Sequence, residues 1–204
     1  MDFSLLKPEE KAFGPMPKFV FEDVLRAFWI LGRKKLVGRK DLAESLDLGE
    51  GTVRSIAVFL EARGLARKIR AGSMLSEKGV RLFERLCARV GGAKQLPPLY
   101  STFERPSFCL QCSVAAEPSV SVSIAARDAA VKAGSDGLLS LSLKDGRFLF
   151  LGTRDAVARK DSVLLSSAFT PRENSVFLLS FAKRALDRER GAWAAFLILE
   201  KAIK

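Results

Sequence analysis

The hydrophobic positions between residues 20 and 90 recur at the spacing of amphipathic helices. The first apolar stripe has members three or four residues apart: Phe21, Val24, Leu25, Phe28 and Leu31. Gly32 is expected to end this helix, and a second, short helix is predicted over 41–46. A turn over 48–51 then leads to a third helix, which Thr52 is expected to cap and which runs to Arg63.

The pattern changes after the third helix to two short strands and a fourth helix. The strands are predicted over 65–70 and 73–75, joined by a turn at Ala71-Gly72. Ser76 is expected to cap the fourth helix. Helix, helix, turn, helix, hairpin, helix is the order of a winged helix-turn-helix, a fold that lays its third helix in the major groove of DNA.

Local sequence in this region resembles bacterial and archaeal transcription regulators. The matching positions are Asp41-Leu42-Ala43, Leu46, Leu48, Thr52-Val53, Ile56, Leu60, Gly64-Leu65 and Leu75-Ser76-Glu77-Lys78-Gly79. The resemblance covers roughly 70 residues and implies a winged helix that contacts double-stranded DNA.

Beyond residue 99 the pattern predicts a two-layer α+β domain, one antiparallel sheet with helices on one face. Strands are predicted over 108–114, 120–124, 138–143, 147–151 and 163–167, and helices over 125–133, 177–186 and 193–203. Asp145-Gly146 between two alternating apolar runs is a strong hairpin signal. The fold class is therefore α+β, an N-terminal winged helix-turn-helix followed by this domain.

Three segments divide the chain: an irregular lead-in over 1–19, the winged helix over 20–92 and the second domain over 99–204. The division rests on Gly91-Gly92 and Pro97-Pro98, which are expected to form a linker. Asparagine occurs once and glutamine twice, a depletion typical of proteins from thermophiles.

The second half also resembles a known family. With the winged helix, Arg127-Asp128-Ala129-Ala130, Lys132-Ala133-Gly134 and Asp136-Gly137 resemble an uncharacterised archaeal family that carries a C-terminal domain of unknown function. That domain is similar to the small insertion domain of some bacterial-type aminoacyl-tRNA synthetases and amidotransferases. The resemblance implies a fold and no activity.

The charge favours a nucleic acid as the partner of the first half. The net charge is +11, and residues 1–95 hold 19 basic and 12 acidic residues, more than half of the excess. The predicted DNA-binding residues lie at the start of the second helix, at the start of the third and on the wing: Arg39, Lys40, Thr52, Arg54, Ser55, Arg67, Lys68 and Arg70. Arg54 is expected to contact a guanine edge or a phosphate.

Two alternatives stay open. Val58 and Phe59 occupy the outward face of the third helix, where an apolar surface favours a protein-interaction scaffold, unless the lead-in or the second domain covers Phe59. The synthetase-like resemblance favours an RNA-contacting, translation-linked module instead. DNA binding by a transcriptional regulator is the preferred hypothesis.

Nothing in the sequence argues for an enzyme or a cofactor. There is no histidine, which removes the usual general base and the commonest metal ligand. Cys109 and Cys112 make one C-x-x-C in a strand-like run, where core positions on opposite faces are favoured over a metal site.

The remaining expectations concern ligand, assembly and location. Arg127, Asp128, Lys132 and Asp136 are candidates for binding a small-molecule effector, although solvated surface charge is the more ordinary interpretation. A homodimer is expected because two half-sites raise specificity. The apolar stretch over 193–203 is either its interface or part of the second domain's core. With no signal sequence or membrane segment, we expect a cytoplasmic protein without a membrane partner.

Overall fold

The computed structural model describes residues 3–8, 18–170, 172 and 174–202. The chain divides into two compact units, Met1–Leu86 and Cys87–Lys204. The fold class is α+β, as predicted: helices dominate the first unit, and the second contains an antiparallel sheet.

The first unit has the predicted order of elements. Its helices are α1 (Phe21–Lys34), α2 (Arg39–Leu46), α3 (Glu50–Ala62) and the part of α4 (Glu77–Arg89) up to Leu86. Strands β1 (Ala66–Ile69) and β2 (Gly72–Leu75) form an antiparallel hairpin. Val37 adds a β-bridge to Ser73, which ties the hairpin to the segment before α2.

Two helix ends in this unit differ from the prediction. α1 continues past Gly32 to Lys34. Gly32 does not end the helix; it lies where the Phe83 ring approaches the helix, and a Cβ there would lie 2.3 Å from that ring. α3 begins at Glu50 after Gly49, so Thr52 lies in its first turn and is not its cap. Ser76 does cap α4, since its Oγ accepts a hydrogen bond from Gly79 N at 3.0 Å.

The lead-in packs on the first unit, as predicted, where the structure describes it. Ser4–Leu6 forms a short 3₁₀ helix, and Phe3, Leu6 and Phe19 are buried. The prolines at positions 15 and 17 lie outside the described residues.

The second unit is built on a five-stranded antiparallel sheet. Its strands, in chain order, are β3 (Val90–Leu99), β4 (Arg105–Ser113), β5 (Gly137–Lys144), β6 (Arg147–Phe150) and β7 (Ser175–Phe181), and their spatial order is β3-β4-β7-β5-β6. The β5–β6 hairpin turns at Asp145-Gly146, both at positive φ, as predicted.

Helices lie on both faces of this sheet. Helices α5 (Val120–Lys132) and α7 (Ala185–Ala202) pack against one face. On the opposite face, α6 (Arg159–Ala168) contributes Leu165 to a core that also contains Cys109, Phe148 and Phe177. The sequence did not predict this second helical face, because 163–167 was assigned to a strand.

Four assignments in this half of the chain were wrong. The expected linker is strand β3, and glycine and proline are tolerated there because β3 is an edge strand. Residues 120–124 begin α5, whose N-terminus is capped by Ser119 Oγ, and 163–167 belong to α6. The first half of the predicted helix over 177–186 is instead part of β7, whose seven residues are all buried, and only its last two residues are helical, at the start of α7.

The predicted C-terminal helix over 193–203 belongs to α7, which begins eight residues earlier at Ala185, and the two alternatives for its apolar face are now decided. Trp193, Phe196 and Leu199 are at most 2% exposed, within the second unit's own core. The apolar face of α7 is therefore unavailable as a dimer interface.

Candidate nucleic-acid interface

A cleft of about 750 Å³ lies between α2, α3 and the β1–β2 hairpin. Five of the eight predicted DNA-binding residues line it, and all five are exposed: Arg39, Lys40, Arg54, Lys68 and Arg70. α2 supplies the first two, α3 supplies Arg54, and the hairpin and its turn supply the rest. Folding thus gathers cations from three separate elements around one concave surface.

Two carboxylates belong to the same cleft and reduce its positive charge. Glu50 accepts a hydrogen bond from Arg39 Nε at 2.8 Å, and Glu61 also lines the wall. Both side chains of the Arg39–Glu50 pair are at least half exposed, so the ion pair contributes little free energy and Arg39 can exchange Glu50 for another anion. Arg54, Lys68 and Arg70 are the cations that the cleft presents most directly to an anion.

The other three predicted residues lie elsewhere. Thr52 is half-buried in the first turn of α3, and Ser55 is exposed, with its Oγ donating to Gly51 O at 3.1 Å. Arg67 lies in a second groove, beside Lys78 and Arg81 of α4. No local pattern predicts that these two α4 residues belong with the hairpin, because they come close to it only when α4 packs beside it.

The floor of the cleft is apolar. Its members are Leu42, Val53, Ala57, Val58 and Ile69. Val58 is 55% exposed and Ile69 40% exposed, so both side chains remain accessible. Val58 follows Arg54 by one helical turn, a spacing that places the two on one face of α3.

Phe59, the other apolar residue of the outward face, is half-buried. The ring of Phe19 meets it edge to face at 5.7 Å between centroids, and the Arg63 guanidinium lies 3.8 Å above it. The lead-in therefore covers Phe59, which was one of the possibilities left open. An exposed aromatic on α3 is no longer an argument for a protein interface.

The candidate effector residues of the second unit lie on its surface. Arg127, Asp128 and Lys132 are exposed on α5, and Asp136 is exposed in the loop that follows. Asp136 pairs with Arg105 of β4 at 2.8 Å and not with a cation of the candidate group. The ordinary interpretation, surface charge, fits this pair, and effector binding stays a prediction.

The two cysteines of the C-x-x-C are free, buried core residues of β4. Cys109 packs with the α6 side of the sheet, and the odd spacing directs Cys112 to the α7 side. Burial raises the pKa of both thiols. The nearby Cys112 adds to the rise in the pKa of Cys109, and the Glu200 carboxylate adds to the rise in that of Cys112. Neither thiol is poised as a nucleophile.

Within 3–8, 18–170, 172 and 174–202, no group of three or more His, Cys, Asp or Glu side chains is arranged to hold a metal ion. Over the same ranges, no helix is both long and apolar enough to cross a membrane.

Two domain-family models match separate parts of the chain. Residues 20–81 match the model of the PH0730-like N-terminal domain. Residues 108–199 match that of a domain of unknown function, DUF4443. These matches confirm the expectation of a domain of unknown function in the C-terminal half.

A solved structure agrees with this architecture. The hypothetical protein PH0730 from Pyrococcus horikoshii OT3 is 22% identical, with a TM-score of 0.74 over 92% of this chain and 96% of that one. The likeness shows a shared fold. The comparison with curated proteins gave no match.

Proposed function

We propose that this chain is a DNA-binding protein, a transcriptional regulator whose first unit is a winged helix-turn-helix. The observation that carries the proposal is the cleft between α3 and the hairpin, which Arg54 of α3 lines together with Lys68 and Arg70 of the hairpin and its turn. α3 contacts the major groove, and the hairpin, as the wing, contacts backbone phosphates. The second unit binds an effector or holds a homodimer.

The excess charge of the first half supports a polyanionic partner, and the cover over Phe59 weakens the scaffold alternative. An archaeal, thermophilic source is part of the same proposal. It is supported by the scarcity of amide side chains and by the likeness to the Pyrococcus protein.

The test is fluorescence anisotropy with mixed-sequence duplex DNA, single-stranded DNA and a structured RNA over a salt series. We expect the duplex to bind best. Replacing Arg67, Lys68 and Arg70 together with alanine removes three phosphate contacts, so the slope of log affinity against log salt should fall by about 2.7.

The matched control replaces Arg147, Arg154 and Arg159, three exposed arginines of the second unit, and should leave the slope unchanged. No duplex binding by the folded protein near physiological salt would refute the proposal. Preferential binding of the RNA would favour the translation-linked alternative.

A further inference from the structure

The cleft is lined by apolar side chains as well as by cations, and a phosphate backbone explains only the cations. The cations are Arg39, Lys40, Arg54, Lys68 and Arg70. Among the apolar lining residues, Val58 is 55% exposed and Ala57 is half-buried, both on α3. A surface that attracts a polyanion while leaving a valine accessible suits a ligand with an apolar group among its charges.

Duplex DNA presents such a group in the major groove, where thymine alone among the four bases carries a methyl. Thymine also has the acceptor O4 there, beside its methyl, whereas cytosine, adenine and guanine offer hydrogen-bonding groups, which a valine cannot satisfy, and no methyl. Burying them against Val58 would leave those groups without partners, at a cost in free energy. The chemistry of this position therefore selects against three of the four bases.

The spacing along α3 fixes where that base lies. Val58 follows Arg54 by four residues, about 6 Å along the helix, and stacked bases repeat every 3.4 Å or so along a strand. The two side chains consequently address bases one or two steps apart. Arginine in this setting pairs with the O6 and N7 of guanine.

We infer that Val58 contacts the 5-methyl of a thymine one or two base pairs from a guanine bound by Arg54. This inference rests on the proposed function and extends it from phosphate contact to base readout. It makes Val58 a specificity-determining residue and accounts for an exposed apolar residue in a cleft that cations also line.

The experiment compares thymine with deoxyuridine, which lacks only the methyl. A randomised duplex pool is enriched on the full-length protein, and the best-bound duplex is synthesised with thymidine or with deoxyuridine at each thymine in turn. We expect one substitution to weaken binding about fourfold, the effect of one buried methyl group. Val58→Ala should bind both duplexes equally, with an unchanged salt slope.

Val163→Ala is the matched control, since Val163 is a helical valine that is 63% exposed in the second unit, and it should retain the discrimination. Three outcomes overturn the inference. If no duplex binds, the proposed function itself fails and the cleft is left for a protein segment. If duplexes bind but deoxyuridine changes nothing, or if Val58→Ala keeps the preference, only the inference fails.

Discussion

Arg26 shows how one residue organises the first unit. Its guanidinium is 2% exposed, pairs with Asp23 at 3.2 Å and donates to Leu46 O at 2.8 Å, so it joins α1 to the end of α2. Asp23 in turn accepts a hydrogen bond from Val20 N at the start of α1. A buried pair of this kind fixes the angle at which α2, and hence one wall of the cleft, meets α1.

Replacing Arg26 with methionine should destabilise the protein by about 3–5 kcal/mol, because the Asp23 carboxylate is left buried without its cation. Urea unfolding measures the loss. The double variant Asp23→Leu with Arg26→Met removes both charges and should recover part of it. A double variant less stable than the single one would show that the ion pair is not the cause.

The buried thiols give the protein a pH dependence. Unfolded cysteine releases its proton near pH 9.0, whereas burial raises the pKa of Cys109 and Cys112 in the folded state. Above pH 9 the native protein therefore holds more protons than the unfolded chain, and its stability falls as the pH rises. Each thiol contributes about 1.4 kcal/mol per pH unit in that window.

Unfolding free energies measured from pH 8 to pH 10.5 test this. Cys109→Ala and Cys112→Ala should each lose one thiol's share of the alkaline slope, while lysine and tyrosine titrations are common to all variants and cancel. Equal slopes in the wild type and both variants would contradict the assignment.

At the scale of the elements, the position of the β1–β2 hairpin depends on one glycine. Gly72 has a φ of +147°, and a Cβ there would lie 2.3 Å from Val37 O and 2.7 Å from its carbonyl carbon. The Val37–Ser73 bridge lies at the same point and holds the hairpin against the segment before α2. The position of Lys68 and Arg70 relative to α3 follows from this contact.

Gly72→Ala should therefore cost about 1–3 kcal/mol of stability and weaken duplex binding, because the hairpin must shift away from Val37. Gly51→Ala is the control of opposite sign. Gly51 lies in α3 with nothing within 4 Å of its would-be Cβ, so alanine there should stabilise by about 0.5–1 kcal/mol. Thermal unfolding and anisotropy measure both effects, and a neutral Gly72→Ala would exclude the close approach.

At the scale of the whole molecule, the excess positive charge and the surface left for a homodimer lie in different parts of the chain. Residues 1–95 carry 19 basic against 12 acidic residues, and the cationic cleft lies within that stretch. The proposed homodimer must use a surface other than the apolar face of α7, because Trp193 and Phe196 are buried in their own chain. The rest of the second unit's exterior is left for dimerisation or effector binding.

Sequence alone determined the elements whose signal is local. The apolar stripe of α1, the Ser76 cap and the Asp145-Gly146 turn are each specified within a few residues, so the first unit's order and one hairpin of the second were predicted. The sequence also predicted exposed cations that line the cleft, since residues beside a helix start or a turn usually lie at the surface; DNA binding by them stays a prediction.

Tertiary structure decided the features that depend on contacts with other parts of the chain. β7 is the central strand, buried on both faces, so its continuous apolar run has no period of two and was mistaken for a helix. Gly91 and Pro97 lie in a strand because an edge position leaves one side of the backbone unpaired. The cleft, its apolar floor and the cover over Phe59 arise from residues far apart in the chain, and no local pattern encodes the distance between them.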